Sequence, residues 1–469
     1  MIPAPQSDVV IPIYPRSVKG RFRNIKYVIL ILAYLVYYGL PWLPWPREVG
    51  PDQAILFDII ARKYYLFGLV VQPEQIFWLA GFLIIAAMLL FFITGIGGRV
   101  FCGYFCFQTL WTDVFFRLEK WIQGERPARI KLDKAPWNAV KIRKKVTTWT
   151  AWLLVAFWTA ISFSLYWGNA GELLLRFFTG DAPSAMYVTT AILTFTTFTM
   201  AGMAREQTCT HMCPYSRFQS AMFDKNTRIV AYDSLRGEGK KGRAKVTKTL
   251  KTPEQRSDEG IGDCIDCGYC VQVCPTGIDI RDGLQILCIH CALCIDACDT
   301  VMDRMGWEKN LIRYSSETED EGNKLKWFTL KNVGYGLGLV IATGVLVWSV
   351  LTKPVLETSV RQIRQPLFVT LSDGSVQNSY EIKLSNQTVH PQTWQLDLSG
   401  IEAQLDTGKI ETIRLEPLKH LRVFVKLKQS PDTHLPGKVQ DFFFVVQPLA
   451  QDAESDIQPV EISARFYRP

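Results

Sequence analysis

Five long apolar runs interrupt an otherwise mixed chain, at 27–45, 76–96, 146–167, 186–204 and 330–351. Each is close to the ~20 residues that an α-helix needs to cross the hydrocarbon of a bilayer, so the pattern predicts a bundle of five transmembrane helices. The run at 186–204 is the most diluted, by Thr189, Thr190, Thr194, Thr196, Thr197 and Thr199; threonine is tolerated where helices pack and hydrogen-bond across a bundle. From 362 onward the period changes. Short β-branched and aromatic runs at 367–371, 380–384, 394–398, 410–415, 421–427, 441–446 and 460–466 alternate with turn signals, among them Asp373-Gly374, Pro431-Asp432 and Pro436-Gly437. That spacing predicts a C-terminal all-β, immunoglobulin-like sandwich over 362–469.

Composition sharpens the membrane reading. Of 469 residues 48% are hydrophobic and 12% aromatic, and the excess sits in the five runs. The net charge of +8 follows loop position, which points to a membrane orientation bias and not to nucleic acid. Arg16, Lys19, Arg21, Arg23 and Lys26 precede the first run. Between the second and third runs stand Arg99, Arg117, Lys120, Arg126, Arg129, Lys131, Lys134, Lys141, Arg143, Lys144 and Lys145. The loops 46–75 and 168–186 are poor in basic residues. The N-terminus, 97–145 and 205–330 are therefore expected in the cytoplasm and the C-terminus outside. Residues 1–24 are polar with no cleavage site before the first run, so that run reads as an uncleaved anchor. The Gly- and Lys-rich stretch 236–262 reads as a basic linker over the membrane surface.

Candidate chemistry lies in the 12 cysteines. The segment 264–298 holds two copies of Cys-x2-Cys-x2-Cys-x3-Cys, the bacterial ferredoxin run, in which each copy gives three thiolates to one cluster and its fourth to the other. On that rule Cys264, Cys267, Cys270 and Cys298 hold one cluster, and Cys288, Cys291, Cys294 and Cys274 hold the second. Paired Cys-x2-Cys units also bind zinc, but a third cysteine at the same step is not the zinc spacing. Asp299 stands where proline usually follows the last thiolate, and His290 reads as a packing residue beside a cluster. This module, 263–315, is expected to be α+β. No cysteine lies in the last hundred residues, so no disulfide framework is expected.

The other four cysteines form two pairs, Cys102-Gly-Tyr-Phe-Cys106 and Cys209-Thr-His-Met-Cys213-Pro214, each just after a predicted span. A spacing of four puts both sulfurs on one helical face. Thiolates suit soft ions such as Cu(I) or zinc, and His211 and Met212 add two copper-compatible groups. Thiol–disulfide couples fit the same spacing, as do plainly buried cysteines. The domains expected are thus 1–235 with four helices and both pairs, 236–262, 263–315, the last helix at 328–352, and 362–469.

The ordered combination resembles the cytochrome c oxidase accessory proteins of the CcoG/FixG/RdxA type. CGYFCFQTLWTD at 102–113, CTHMCPYSRFQ at 209–219, FDIIARKYYLFG at 57–68, YDSLRGE at 232–238 and PTGIDIRDGLQ at 275–285 carry it. The resemblance implies a multi-pass protein of a bacterial inner membrane that carries two 4Fe-4S clusters. It implies reduction of Cu(II) to Cu(I) for assembling the copper site of cbb3-type cytochrome c oxidase. Its expected partners are the oxidase subunits, copper chaperones or transporters and membrane lipid, with an electron donor that the residues do not name; a homodimer is compatible with it. On this reading Cys102, Cys106, Cys209 and Cys213 handle copper, with His211 and Met212 as further ligands. Relatives carry proline after the second cysteine of each pair; here Phe107 replaces the first. Two other readings stay open, a quinol- or ferredoxin-linked electron relay and a non-enzymatic assembly scaffold.

Overall fold

The computed structural model describes residues 13–247, 249–408, 412–431, 437–449 and 458–469. The chain forms two compact units, Met1–Pro46 with Pro51–Leu346, and Arg47–Gly50 with Val347–Pro469.

Among the described residues, four helices are long and apolar enough to cross a membrane: Arg21–Trp42, Pro73–Gly97, Ala139–Trp167 and Leu330–Leu351. They match four of the five apolar runs. Leu35, Phe82, Leu83, Leu154 and Val340 stand exposed on them, as lipid-facing side chains do. The run at 186–204 folds as helix Ser184–Thr197, which widens into a π-helical stretch, Phe198–Ala204. Its threonines turn inward on their own backbone. The Thr194, Thr196 and Thr199 hydroxyls donate to the carbonyls of Thr190, Ile192 and Phe195, four residues back. Thr190 also meets Ser164 of the neighbouring helix at 3.3 Å. Small residues let the last helix close on the second: Gly336 lies against Phe92 and Gly338 against Met88. Between the first two helices, Ile55–Asp58, Lys63–Leu66 and Leu69–Val71 form a three-stranded antiparallel sheet. These strands are too short to leave a legible alternation.

The cysteine-rich module starts earlier than 263. Ile229–Tyr232 pairs antiparallel with Ile312–Ser315 and closes its base. The stretch 236–262 is not a free linker. Helix Pro253–Asp258 begins in a Thr252/Gln255 capping box. The fully buried Arg256 donates to the carbonyls of Ala244, Gly262 and Cys264. Composition reports the exposed lysines and glycines but not one arginine turned inward. The module also holds the first membrane helix. The carboxylate of Asp296 accepts from the Phe22 and Arg23 N–H groups at 3.1 and 2.7 Å, so a residue between two cysteines caps a helix far away in sequence.

The second unit is a sandwich. One sheet runs Gln404–Asp406, His420–Gln429, Val376–Asn386, Leu356–Gln362, with Val369–Thr370 beside the third of these. The other runs Ile413–Leu415, Gln392–Ser399, Val439–Pro448, Val460–Tyr467. Alternation fills the space between them: Val423, Val425 and Leu427 are buried while Phe424 is exposed. Trp394, Tyr380, Phe442, Phe444 and Phe466 form the centre. Leu356–Gln362 extends the sandwich ahead of residue 362 because Leu356 and Val360 pack inward. The start of the 410–415 strand and most of the Pro431-Asp432 and Pro436-Gly437 turns lie outside the described residues.

Candidate iron–sulfur and thiol centre

The two cysteine loops are built alike. Asp266 and His290 have φ of 49° and 50°, and Gly268 and Ala292 have φ of 63° and 59°. The same two positions of each Cys-x2-Cys-x2-Cys run thus enter the left-handed region. The chain curls around its thiols and then enters a helix, Tyr269–Gln272 or Leu293–Met305. Gly268 does this freely; Ala292, buried, does it at a cost of about 1 kcal/mol.

None of the twelve cysteines is in a disulfide. Cys298 interacts electrostatically with Cys270, Cys264 and Cys267. Cys294 interacts chiefly with Cys291, Cys288 and Cys274. Cys274, Cys288, Cys291 and Cys294, with Cys270 of the first set, line one narrow cavity. Burial pushes the thiols of Cys288, Cys291, Cys294 and Cys298 up, and that of Cys270 to about 12. Among the described residues no three His, Cys, Asp or Glu groups converge as they would on a single ion. Four-iron clusters are held by four cysteine thiolates, and the thiols that line this cavity fit that group.

The membrane pairs have a different local structure from the one expected. Neither pair rides one helical face. Cys102 lies in helix Val100–Tyr104 and Cys209 in the π-helical turn Thr208–Met212. Cys106 and Cys213 are extended, with ψ of 132° and 109°, and each stands just ahead of a new helix, Phe107–Gln123 or Pro214–Ala221. Each of these cysteines closes its turn with the same bond, Cys106 N–H to Phe101 C=O at 3.0 Å and Cys213 N–H to Thr208 C=O at 2.9 Å. Pro214 disfavours a helical Cys213. Phe107 reaches the same break without proline, because the first N–H of a helix has no partner to lose.

The break turns the two pairs toward each other. Cys209 interacts with Cys106, Cys102 and Cys213, and Cys106 with Cys213. Burial raises Cys102 to about 11 and Cys209 to about 12, while nearby Arg99 works against the rise. Gln219 Nε2 donates to Cys102 Sγ at 3.3 Å. Gln108 Nε2 donates to the carbonyls of Met200 and Arg205, tying the first pair's helix to the segment before the second pair. His211 and Met212 are exposed and do not line the cavity that contains Cys209.

The first pair is packed onto the second ferredoxin loop. A Cβ on Gly103 would stand 2.7 Å from Ile289 O and 3.0 Å from Cys291 Cα, so backbone meets backbone there and only glycine fits. Tyr104 O–H donates to Cys291 C=O at 3.2 Å. The backbone N–H of Arg99 donates to His290 Nδ1 at 2.9 Å, and its guanidinium reaches Ile286 C=O. Arg99 interacts with Cys102, Cys209 and Cys213 of one centre and with Cys288 of the other. His290 is fully buried and stacked on Phe223, and burial together with Arg99 lowers its pKa to about 3. It is a neutral packing and hydrogen-bonding residue. Arg99, Gly103, Gln108 and Gln219 escaped sequence reasoning; a Phe-Gln dipeptide following both pairs was the one available signal.

Comparison with known proteins follows this division. Residues 204–317 match a "4Fe-4S dicluster domain", 79–127 a "4Fe-4S binding domain", and 346–469 an "IG-like fold at C-terminal of FixG". Protein RdxB of Cereibacter sphaeroides is 42% identical over 411 residues, 84% of this chain and 83% of that protein. Nitrogen fixation protein FixG of Rhizobium meliloti is 38% identical over 462 residues, 89% of this chain and 87% of that protein. The chain belongs to the FixG/RdxA/RdxB family. Protein RdxA of Cereibacter sphaeroides is 40% identical over 399 residues, 83% of this chain and 82% of that protein. A solved FixG-related protein from Vibrio parahaemolyticus covers 24% of this chain and 96% of its own, at 25% identity and a TM-score of 0.21. Like the FixG family, this is a membrane iron–sulfur protein of an oxidoreductase type. The 79–127 match holds only Cys102 and Cys106.

Proposed function

We propose that this protein passes single electrons to four membrane-proximal thiols, Cys102, Cys106, Cys209 and Cys213, and there reduces Cu(II) to Cu(I) for assembly of a cbb3-type oxidase. Cys264, Cys267, Cys270 and Cys298 would hold one 4Fe-4S cluster, and Cys288, Cys291, Cys294 and Cys274 the other. Bound clusters supply one-electron carriers. The observation that carries the reading is the Gly103 contact, which sets the residue next to Cys102 against the backbone of Cys291. The second set of thiols is then the exit side of the wire and the first set the entry side. Each Cu(II) takes one electron, and soft thiolates favour the Cu(I) product. Arg99 offsets part of the negative charge that thiolates bring to both centres. The oxidase subunits, copper chaperones or transporters and a separate electron donor belong to this reading. So does a fifth span at 184–204, which leaves the cysteine module inside the cell and the sandwich outside. The exposed His211 and Met212 would act in copper arrival and not as ligands of the thiol site.

The test is anaerobic Cu(II) reduction by the dithionite-reduced protein, read with a Cu(I)-specific chelator. It is run beside a variant with all four thiols changed to Ala that keeps its iron–sulfur spectrum. Cu(I) should appear rapidly with the parent and at background with the variant. Equal rates would end the copper reading. The iron–sulfur label on 79–127 favours a second reading, in which the four thiols hold a cluster of their own. Iron analysis separates the two, at about eight irons per chain for two clusters and about twelve for three.

A further inference from the structure

A second cavity lies on the other side of the ferredoxin thiols. It has a volume of about 360 Å³ and lies between the N-terminal segment, the first helix, helix Phe107–Gln123 and the cysteine module. Its walls carry Arg16, Arg23, Lys26, Arg117, Lys120 and Arg129. Cations gather at the inner face of many membrane proteins, so what matters is which of these are already neutralised. Arg23 pairs with Asp113 at 2.8 Å, Lys120 with Glu125 at 2.8 Å and Arg129 with Glu119 at 3.0 Å. Among the described residues Arg16 and Arg117 form no ion pair. Arg117 lies over the Tyr27 ring at 4.1 Å, and Arg16 over Tyr269 at 4.7 Å with a long bond to Gln272. Lys26 is 2% exposed, and its ammonium stops 4.0 Å from Asp113 Oδ2, an atom with no hydrogen-bond partner.

Burying a lysine is costly unless something answers its charge. Here a buried ammonium and two guanidinia set over aromatic rings face one cavity, and the carboxylate nearest the ammonium, Asp113, is already shared with Arg23. Guanidinium forks and an ammonium at such a spot suit phosphate oxygens. We propose that this cavity binds a phosphate-bearing anion. Two sources share that chemistry: a soluble phosphate-bearing redox cofactor, and the headgroup of an acidic phospholipid, which basic pockets beside membrane helices also hold. The far wall is Val273, Pro275 and Leu293, the residues flanking Cys274 and Cys294. A soluble redox carrier seated there would abut the exit-side thiols; that role rests on the proposed electron wire, whereas anion binding does not.

The full chain is purified in detergent with its iron–sulfur spectrum intact and probed in two ways. Flavin mononucleotide binding is followed by flavin fluorescence, and retention of cardiolipin against phosphatidylcholine by native mass spectrometry. The variant is Arg16→Gln with Arg117→Gln, which breaks no ion pair; Arg414→Gln with Arg465→Gln, on the sandwich, removes the same charge elsewhere. Flavin mononucleotide binding that weakens at least tenfold in the first variant only supports the site with a soluble carrier. Cardiolipin retention lost in the first variant only, with no flavin binding, supports it with lipid as the source. Binding of neither probe, or equal loss in both variants, overturns the proposal. Because the readout is binding, it stands or falls apart from copper reduction.

Discussion

At the scale of single residues the centre depends on places where side chains are missing or turned. Gly103 is one. Valine there would drive methyl groups into Ile289 and Cys291, so Gly103→Val should loosen the junction by about 1–3 kcal/mol. Clusters should still form, since none of the eight ferredoxin thiols moves in sequence. Freeze-quench EPR should show cluster reoxidation by Cu(II) slowed at least tenfold; unchanged kinetics would remove Gly103 from the path. Phe107 is the opposite case, a departure without consequence. Cys106 already has the extended backbone that a following proline demands, and Phe107 is 72% exposed. Phe107→Pro should shift stability by less than about 1 kcal/mol, mainly through the ring contact with Trp111. A larger drop in melting temperature would mean that the break is held differently at the two pairs. The cysteines were legible because ligand spacing is local. Arg99 and Gln219 were not, because each matters through a partner more than a hundred residues away.

Elements show where local pattern and tertiary structure part company. Apolar runs located the helices well, since lipid rewards length and hydropathy directly. Spacing alone could not place the sulfurs of the membrane pairs, because a four-residue step faces one way only if the helix continues. The 236–262 stretch misled for a similar reason: its composition is that of an exposed loop, but Arg256 inside it supports the backbone of Cys264. Arg256→Ala should leave two buried carbonyls and one part-buried carbonyl without their donor and cost about 3–5 kcal/mol. Thermal melts followed at the iron–sulfur absorption band should show it. If the band melts as in the parent, the stretch acts as a linker after all. The strand Ile229–Tyr232 escaped notice because four residues paired with a strand about eighty positions later leave no trace in a short window.

For the whole molecule, charge bias and span parity make one joint prediction. Protease added to intact spheroplasts should remove the sandwich and spare the cysteine module; the reverse outcome would discard the five-span reading. Within the first unit, the cysteine module is fastened to the membrane helices at several points. Asp296 caps the first helix, Tyr104 and Arg99 bond the second loop, and Gly103 permits no gap. Many redox proteins carry electrons by swinging a tethered cofactor domain between donor and acceptor. A domain clamped at its own exit has no such stroke. If copper is the acceptor, as proposed, the ion would come to a stationary terminal and depart in its new oxidation state, and turnover would be set by how fast it is delivered and collected.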